Sequence, residues 1–279
     1  AITKPDGTPY DLDRDGLKIY TPINYNMQKY AEEAQKEWMM VLQREFNKQW
    51  RNKNAFATAD RKKLLESGMK RSDRYIQMKE DGASEADIKK VFNTKVKMDI
   101  FTWKGNIDTL MTPLDSIKYN KLILRNAVMS MEPQTGHVKA WVGGVNFEHY
   151  KYDQVKQGTR QVGSTAKPFT YAVAIDNFYS PCYTAPNFQH TYGDWTPRDT
   201  TQGGSPITLK NALKYSQNFA TAFVINEVGA ANVAELTRKM GITSDVPNYP
   251  SIALGAYDAS VFDMVGAYSA FVNHGTWVE

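Results

Sequence analysis

The sequence has 279 residues, 42% of them hydrophobic and 12% aromatic, which suffices for one large folded domain or for a domain with a smaller companion. Its 34 lysines and arginines against 30 aspartates and glutamates give a net charge of only +4, and the basic stretch at 44–97 lacks the aromatic interleaving of base-stacking surfaces, so we expect no nucleic-acid partner. No apolar run approaches the ~20 residues of a membrane span, and the single cysteine, Cys182, excludes an internal disulfide.

The chain divides near Asn126 into a polar, mainly helical part and a more apolar part. Residues 1–44 are predicted to lead into the domains that follow. Within them, the alternation of apolar residues from Leu17 to Ile23 is typical of a strand. From Asn26 to Trp50 the apolar positions repeat with helical spacing, which predicts a long amphipathic helix.

The sequence over residues 45–125 predicts an insertion that consists of helices and a strand. Its role cannot be inferred from the sequence. No residue pattern in this segment indicates a particular chemistry. Its predicted elements are a helical region over 58–80 that is interrupted at Ser67-Gly68, a helix over 84–92 capped by Ser84, and a strand over 95–103.

Residues 126–279 predict a hairpin followed by several helices. Two apolar runs, 126–131 and 138–142, are joined by a turn that contains proline and glycine. A helix that is apolar on every side follows Gly163 and should end near Phe178, which is typical of a helix at the centre of a core. Further helices are predicted over 208–215, 220–227, 232–241 and 260–275, the third capped by Asn232 and the last by Ser260.

The start of the buried helix carries the most informative motif, Ser164-x-x-Lys167. One helical turn places positions i and i+3 on the same face, so the lysine amine can lie beside the serine hydroxyl. A desolvated lysine can take the proton of a serine, which makes this pair a possible activated nucleophile. Pro168 lacks an N–H, so the Ser164 carbonyl loses its usual partner and we expect an irregular first turn.

The same spacing occurs at Ser67 and Lys70, in a polar and charge-rich segment. A lysine there would remain solvated at its ordinary pKa, so we interpret this second copy as part of a solvated helix face. The four histidines show no metal-ligand spacing either. We therefore expect neither a metal site nor a cofactor.

A second polar motif, Ser216-Gln217-Asn218, lies between two apolar helices. Taken alone, it predicts an ordinary helix terminus with a capping serine or asparagine. Combined with the motif at Ser164, it predicts a turn whose side chains point into a shared cleft.

Together these motifs resemble the penicillin-binding proteins and serine β-lactamases, which act through a serine acyl-enzyme. The flanking residues resemble the transpeptidase domain of class A, bifunctional penicillin-binding proteins, and the resemblance covers residues 16–35 and 126–279 well. The matching segments include Glu132-Pro-Gln-Thr-Gly136, Trp141-Val-Gly-Gly144, Leu254-Gly255 and Asn273-His-Gly275.

The resemblance implies an α+β fold, an antiparallel sheet flanked by helices, and assigns a role to each motif residue. Ser164 would be the nucleophile, acylated by the penultimate D-alanine carbonyl, and Lys167 its base. Ser216 would relay a proton to the leaving amine, and Asn218 would hold the peptide amide of the substrate. The Ser164 N–H would supply half of the oxyanion hole.

The resemblance also implies parts that the sequence does not show. The family's Lys-Thr-Gly motif would follow Gly275 by several dozen residues, whereas the sequence stops at Glu279. We therefore expect the last strands of the sheet to be missing and the chain alone to have doubtful activity. A glycosyltransferase domain and a membrane anchor would precede Ala1.

The predicted function is that of a peptidoglycan D,D-transpeptidase at the extracytoplasmic face of the bacterial inner membrane, in the periplasm. Its expected partners are stem peptides that end in D-Ala-D-Ala, β-lactam antibiotics, and other proteins of cell-wall synthesis. Two alternatives stay open, a β-lactamase and a non-catalytic β-lactam sensor or binding module on the same fold. No carboxylate with convincing spacing indicates the deacylating water of a β-lactamase.

Overall fold

The computed structural model describes residues 3–199 and 203–278. The polar part forms five helices and a hairpin: α1 (Tyr25–Gln49), α2 (Ala59–Lys70), α3 (Asp73–Glu80), α4 (Glu85–Phe92), β1 (Val96–Ile100), β2 (Ile107–Met111) and α5 (Pro113–Leu122). Within the described ranges, none of the helices is long and apolar enough to cross a membrane.

The apolar part alternates short strands with helices. Its elements are β3 (Val128–Met131), β4 (Val138–Val142), β5 (Arg160–Gln161), a 3₁₀ turn (Gly163–Ala166), α6 (Lys167–Asp176), β6 (Thr184–Ala185), β7 (Ile207–Thr208), α7 (Leu209–Lys214), α8 (Asn218–Val228), α9 (Ala230–Lys239), a second 3₁₀ turn (Pro250–Leu254), β8 (Asp258–Ala259) and α10 (Val261–Val272). The strands pair antiparallel as β1 with β2, β3 with β4, β5 with β8, and β6 with β7.

Most of the predicted elements are confirmed at their predicted places, among them α1, α4, the β3–β4 hairpin, α6 and α10. The caps of α4 and α10 are also confirmed, because Ser84 and Ser260 each accept a hydrogen bond from the backbone N–H three residues later. Neither β2 nor α5 was predicted from the sequence.

The predicted strand from Leu17 to Ile23 is wrong. This segment is irregular and has no strand partner in the described part of the chain, and Ile19 is 67% exposed. Alternating apolar residues form a strand only where a neighbouring strand satisfies their backbone. The first such bond comes just afterwards, where the Asn24 N–H donates to the Lys139 carbonyl of β4 at 2.8 Å.

Two other boundaries differ from the prediction. The break between α2 and α3 falls at Ser72, whose hydroxyl accepts from the Tyr75 N–H, while Gly68 stays helical. Ile117 of α5 packs so close to Gly68 that a Cβ there would lie 3.1 Å from it, so the glycine serves packing. Asn232 does not cap α9, because its amide donates to the Val228 carbonyl from inside the helix.

Three glutamines fasten α1 to later parts of the chain. Gln28, Gln35 and Gln43 are spaced by two helical turns and so lie on one face of α1. The Gln28 side chain accepts from the Trp141 N–H at 2.7 Å and donates to the Trp141 carbonyl at 3.0 Å. Gln35 donates to the Gly144 carbonyl, and Gln43 bonds the backbone on both sides of Ile123.

Helix α6 lies at the centre of the main core. Phe169 and Ala174 are fully buried, as are Ala220 of α8 and Ala234 of α9, with which α6 packs. Burying apolar surface contributes about 25 cal/mol per Å², so this cluster supplies much of the stability of the domain. The core therefore fixes the position of the residues at the start of α6.

A close backbone contact holds the 3₁₀ turn at residues 163–166 against the turn at 250–254. The Gly163 N–H donates to the Gly255 carbonyl at 3.3 Å, and both glycines have positive φ, +57° and +76°. A Cβ on Gly255 would overlap the backbone of Gly163. A side chain at residue 255 would thus displace the turn that carries Ser164.

We expect Gly255→Ala to lower the free energy of unfolding by about 1–3 kcal/mol, because it combines a positive φ with a backbone clash. Urea denaturation followed by circular dichroism measures the change. Gly204→Ala is the matched control, since Gly204 has open space around it and no positive φ. Equal unfolding midpoints for the two variants would contradict the prediction that a side chain at residue 255 clashes with the backbone of Gly163.

Candidate active site

Ser164 and Lys167 lie at the two ends of one tight turn. Because Pro168 has no N–H, the Ser164 carbonyl accepts instead from the Lys167 N–H, which gives a 3₁₀ turn ahead of α6. The predicted irregular first turn is confirmed. In a 3₁₀ turn, positions i and i+3 are eclipsed, so both side chains start from the same side. Ser164 is exposed, whereas only 1% of Lys167 is.

The Lys167 amine is held by three oxygen atoms of the second motif. Its Nζ donates to the Ser216 carbonyl at 2.5 Å, to the Ser216 Oγ at 2.9 Å and to the Asn218 Oδ1 at 2.7 Å. An ammonium group has three donors, so these contacts use all of them. The structure therefore brings Lys167, Ser216 and Asn218 together, as the sequence predicts for one cleft.

Ser216 has an unusual backbone conformation that allows two of these contacts. Its φ is +53°, in the left-handed region that side-chain-bearing residues rarely adopt. This turn between α7 and α8 directs both the carbonyl and the hydroxyl of Ser216 to the same amine. Such strain persists only where the surroundings hold it, and it is found most often at functional sites.

Asn218 is the first residue of α8 and is bonded through every polar group it directs at the site. Its Oδ1 accepts from Lys167, its Nδ2 donates to the Arg198 carbonyl at 2.9 Å, and its N–H donates to the Asp199 Oδ2 at 3.0 Å. Sequence reasoning missed Arg198 and Asp199. They lie 20 and 19 residues before Asn218 in an irregular loop, where no spacing rule indicates a contact.

Helix α10 supports the turn from the other side. The Tyr268 hydroxyl donates to the Thr165 carbonyl at 2.7 Å, and the Tyr268 ring meets that of Phe169 edge to face.

Within residues 3–199 and 203–278, no group of three His, Cys, Asp or Glu side chains is placed to hold a metal ion. The site consists of hydroxyl, amine, amide and carboxylate groups.

The two lysines that follow a Ser-x-x-Lys spacing have opposite electrostatic environments. Burial lowers the pKa of Lys167 from 10.5 to about 8, and the Asp199 carboxylate acts against this by raising it. Lys70 is exposed and forms an ion pair with Glu66 at 2.8 Å, which raises its pKa. Lys167 is therefore the amine of the two that can lose its proton near neutral pH.

Comparison with known proteins identifies the class to which this fold and site belong. The family model of the penicillin-binding protein transpeptidase domain matches residues 126–279, and that of the penicillin-binding protein middle domain matches residues 46–124. The first match covers more than half of the sequence. The chain belongs to the penicillin-binding protein transpeptidase family.

Individual relatives agree with this assignment. Penicillin-binding protein 1A of Rickettsia bellii is 26% identical over 309 residues, covering 100% of this chain and 38% of the relative. Penicillin-binding protein 1A of Vibrio cholerae is 35% identical over 162 residues, covering 55% of this chain and 20% of the relative. The chain thus spans less than half the length of these curated relatives.

Solved structures agree on the fold. The crystal structure of penicillin-binding protein 1A from Haemophilus influenzae superposes with a TM-score of 0.52 at 26% identity, covering 56% of this chain and 24% of that one. PonA1 of Mycobacterium tuberculosis in complex with penicillin V gives a TM-score of 0.50 at 20% identity, covering 77% of this chain and 59% of that one. The predicted α+β fold of the transpeptidase type is confirmed.

We expect the Lys167 amine to titrate at about pH 8, because its ammonium form is buried, while solvated lysines titrate near their ordinary ~10.4. Carbon-13 NMR of the chain with labelled lysine measures this, and Lys167→Met identifies the resonance by its loss. Lys70→Met is the control, because the pKa of Lys70 is raised. This variant should remove one of the resonances that titrate at high pH and leave the Lys167 resonance in place. A Lys167 resonance that titrates above pH 10 would contradict the assignment.

Proposed function

We propose that this chain carries the acyl-transfer site of a peptidoglycan D,D-transpeptidase, in which Ser164 is the nucleophile. The observation that carries the proposal is the amine of the buried Lys167, held by Ser216 and Asn218 one tight turn from the exposed Ser164. A hydroxyl needs a base to become a good nucleophile, and an amine with a lowered pKa can be that base.

In the proposed first step, neutral Lys167 takes the proton of the Ser164 hydroxyl while Oγ attacks the penultimate D-alanine carbonyl of a stem peptide. An ester bond forms and the peptide C–N bond breaks. The proton travels by way of Ser216 to the leaving amine, which departs as D-alanine. In the second step, the amine of another stem peptide attacks the ester carbonyl. A new peptide bond forms, the ester C–O bond breaks, and the proton released by the amine returns to the Ser164 oxygen.

The proposal gives Asn218 the role of holding the peptide amide of the substrate. In the structure its Nδ2 donates one N–H to the Arg198 carbonyl, and the second N–H of the same amide can donate to a carbonyl of the substrate. The Ser164 N–H would supply one of the two oxyanion donors. Removing one such donor costs about 2.7–4 kcal/mol of transition-state stabilisation in other enzymes.

The same site accounts for the expected ligands. A β-lactam ring presents an acyl carbon to the serine in place of the stem peptide, and PonA1, which shares the fold, has been solved in complex with penicillin V. We propose that the protein acts on peptidoglycan in the periplasm, at the outer face of the inner membrane, together with other proteins of cell-wall synthesis.

We expect a labelled penicillin to increase the mass of the protein that contains this chain by the mass of one penicillin molecule. We expect Ser164→Ala to abolish this adduct. Intact-mass spectrometry and peptide mapping measure it. Ser67→Ala is the matched control, because Ser67 has the same spacing from a lysine that is solvated, and it should leave the adduct unchanged. An adduct that vanishes rapidly with release of hydrolysed penicillin would favour a β-lactamase, whereas the absence of both adduct and turnover would favour a binding module.

The acylation rate should rise about tenfold per pH unit below pH 8 and level off above it, because only the neutral amine can accept the proton. At pH 6 about 1% of an amine with this pKa is neutral. Stopped-flow kinetics with the labelled penicillin measure the profile. Lys167→Met should abolish acylation at every pH while the urea midpoint stays that of a folded protein. A flat profile between pH 6 and 8 would exclude Lys167 as the base.

A further inference from the structure

Asp199 is connected to the Lys167 amine through a single residue. Its carboxylate accepts from the Asn218 N–H at 3.0 Å, and the preceding Arg198 carbonyl accepts from the Asn218 side-chain amide at 2.9 Å. The third polar group of Asn218, its Oδ1, accepts from Lys167 Nζ at 2.7 Å. Two consecutive loop residues thus hold Asn218 in the position in which it meets the lysine.

The Asp199 carboxylate also caps helix α8. The first N–H groups of a helix have no partner within the helix, and a side chain at the N-cap position usually accepts from one of them. The N-cap residue of α8, Gln217, makes no such bond. The Asp199 carboxylate takes this place from a distant part of the sequence, and its negative charge suits the positive end of the helix dipole.

The charge of Asp199 acts on the buried amine. Two carboxylates on the neighbouring helices bond other groups, since Asp263 of α10 accepts from Thr243 and Glu227 of α8 accepts from the Tyr179 hydroxyl. The Arg198 side chain is exposed. A carboxylate close to an ammonium group favours the charged form, and Asp199 accordingly raises the pKa of Lys167 against the effect of burial.

We propose that Asp199 is a positioning residue of the acyl-transfer site, which holds Asn218 against Lys167 and supplies the countercharge of the buried ammonium. The effect of Asp199 on catalysis rests on the function proposed above. Asp199 acts on acylation in two opposite ways. Its hydrogen bond with Asn218 orders the site, whereas its negative charge keeps more of the Lys167 amine protonated. A residue that keeps the bond without the charge should separate them.

Asp199→Asn and Asp199→Ala make this separation. Asparagine keeps an oxygen that can accept from the Asn218 N–H but has no charge, whereas alanine loses both. Asp194→Asn is the matched control, because Asp194 is an exposed residue of the same loop. Carbon-13 NMR of lysine-labelled chain gives the titration point of Lys167 in each variant, and urea denaturation gives the unfolding midpoint.

In both Asp199 variants we expect Lys167 to titrate about half to one pH unit lower than in the wild type, and in the control at the wild-type value. Only Asp199→Ala should also lower the unfolding midpoint, because it alone removes the cap. If Lys167 titrates at the same pH in Asp199→Asn as in the wild type, Asp199 is not its countercharge. If the two Asp199 variants unfold at the same urea midpoint, Asp199 does not cap α8.

Acylation by labelled penicillin of the protein that contains this chain supplies the functional readout. In Asp199→Asn the acid limb of the rate profile should move to lower pH by the amount found by NMR, which makes the variant about threefold to tenfold faster at pH 6.5. An acid limb that stays in place despite a shifted titration would overturn the role of Asp199 in the site. If the wild type itself shows no acylation, the proposed function fails, while the NMR titration still decides whether Asp199 faces the amine.

Discussion

The structure around the site depends on one buried amine. Lys167 begins the central helix of the core, so its ammonium group leaves water when the core forms. Burying a charge is costly unless hydrogen bonds replace its hydration, and here the oxygens of Ser216 and Asn218 do so. The turn at Ser164, the α7–α8 turn and the loop at Asp199 all meet around this amine. The hydrogen bonds of the Lys167 amine and the packing of α6 in the core therefore both require these three segments to meet at the same place.

Much of this site could be predicted because its signals are local. Ser164, Lys167 and the apolar helix behind them lie within a short stretch, and helical spacing decides which side chains share a face. The contact between the two motifs was predictable from their resemblance to a family. Asp199 was not, since its bond to Asn218 joins an irregular loop to a distant helix. The wrong strand at Leu17 has a related cause, because alternation does not show whether a pairing strand exists.

The segment at 46–124 shows the limit of reasoning from chemical motifs. The sequence offered no reactive pattern there, yet the structure gives it a hairpin and a small core of Tyr75, Ile88 and Phe92. A family model also matches it, so the segment recurs in other proteins. The predicted limits at residues 45 and 125 stay a prediction. Apolar residues in short helices identify a packed unit without revealing its role.

The attachment of α1 has a consequence for solubility. The outer edge of β4 presents the backbone groups of Lys139 and Trp141, and an open strand edge can pair with a strand from another molecule. Asn24 and Gln28 occupy these groups with one backbone and two side-chain hydrogen bonds. The start of a helix thereby does what an additional strand would do. It closes the edge against strand addition, and so protects the domain from aggregating by that route.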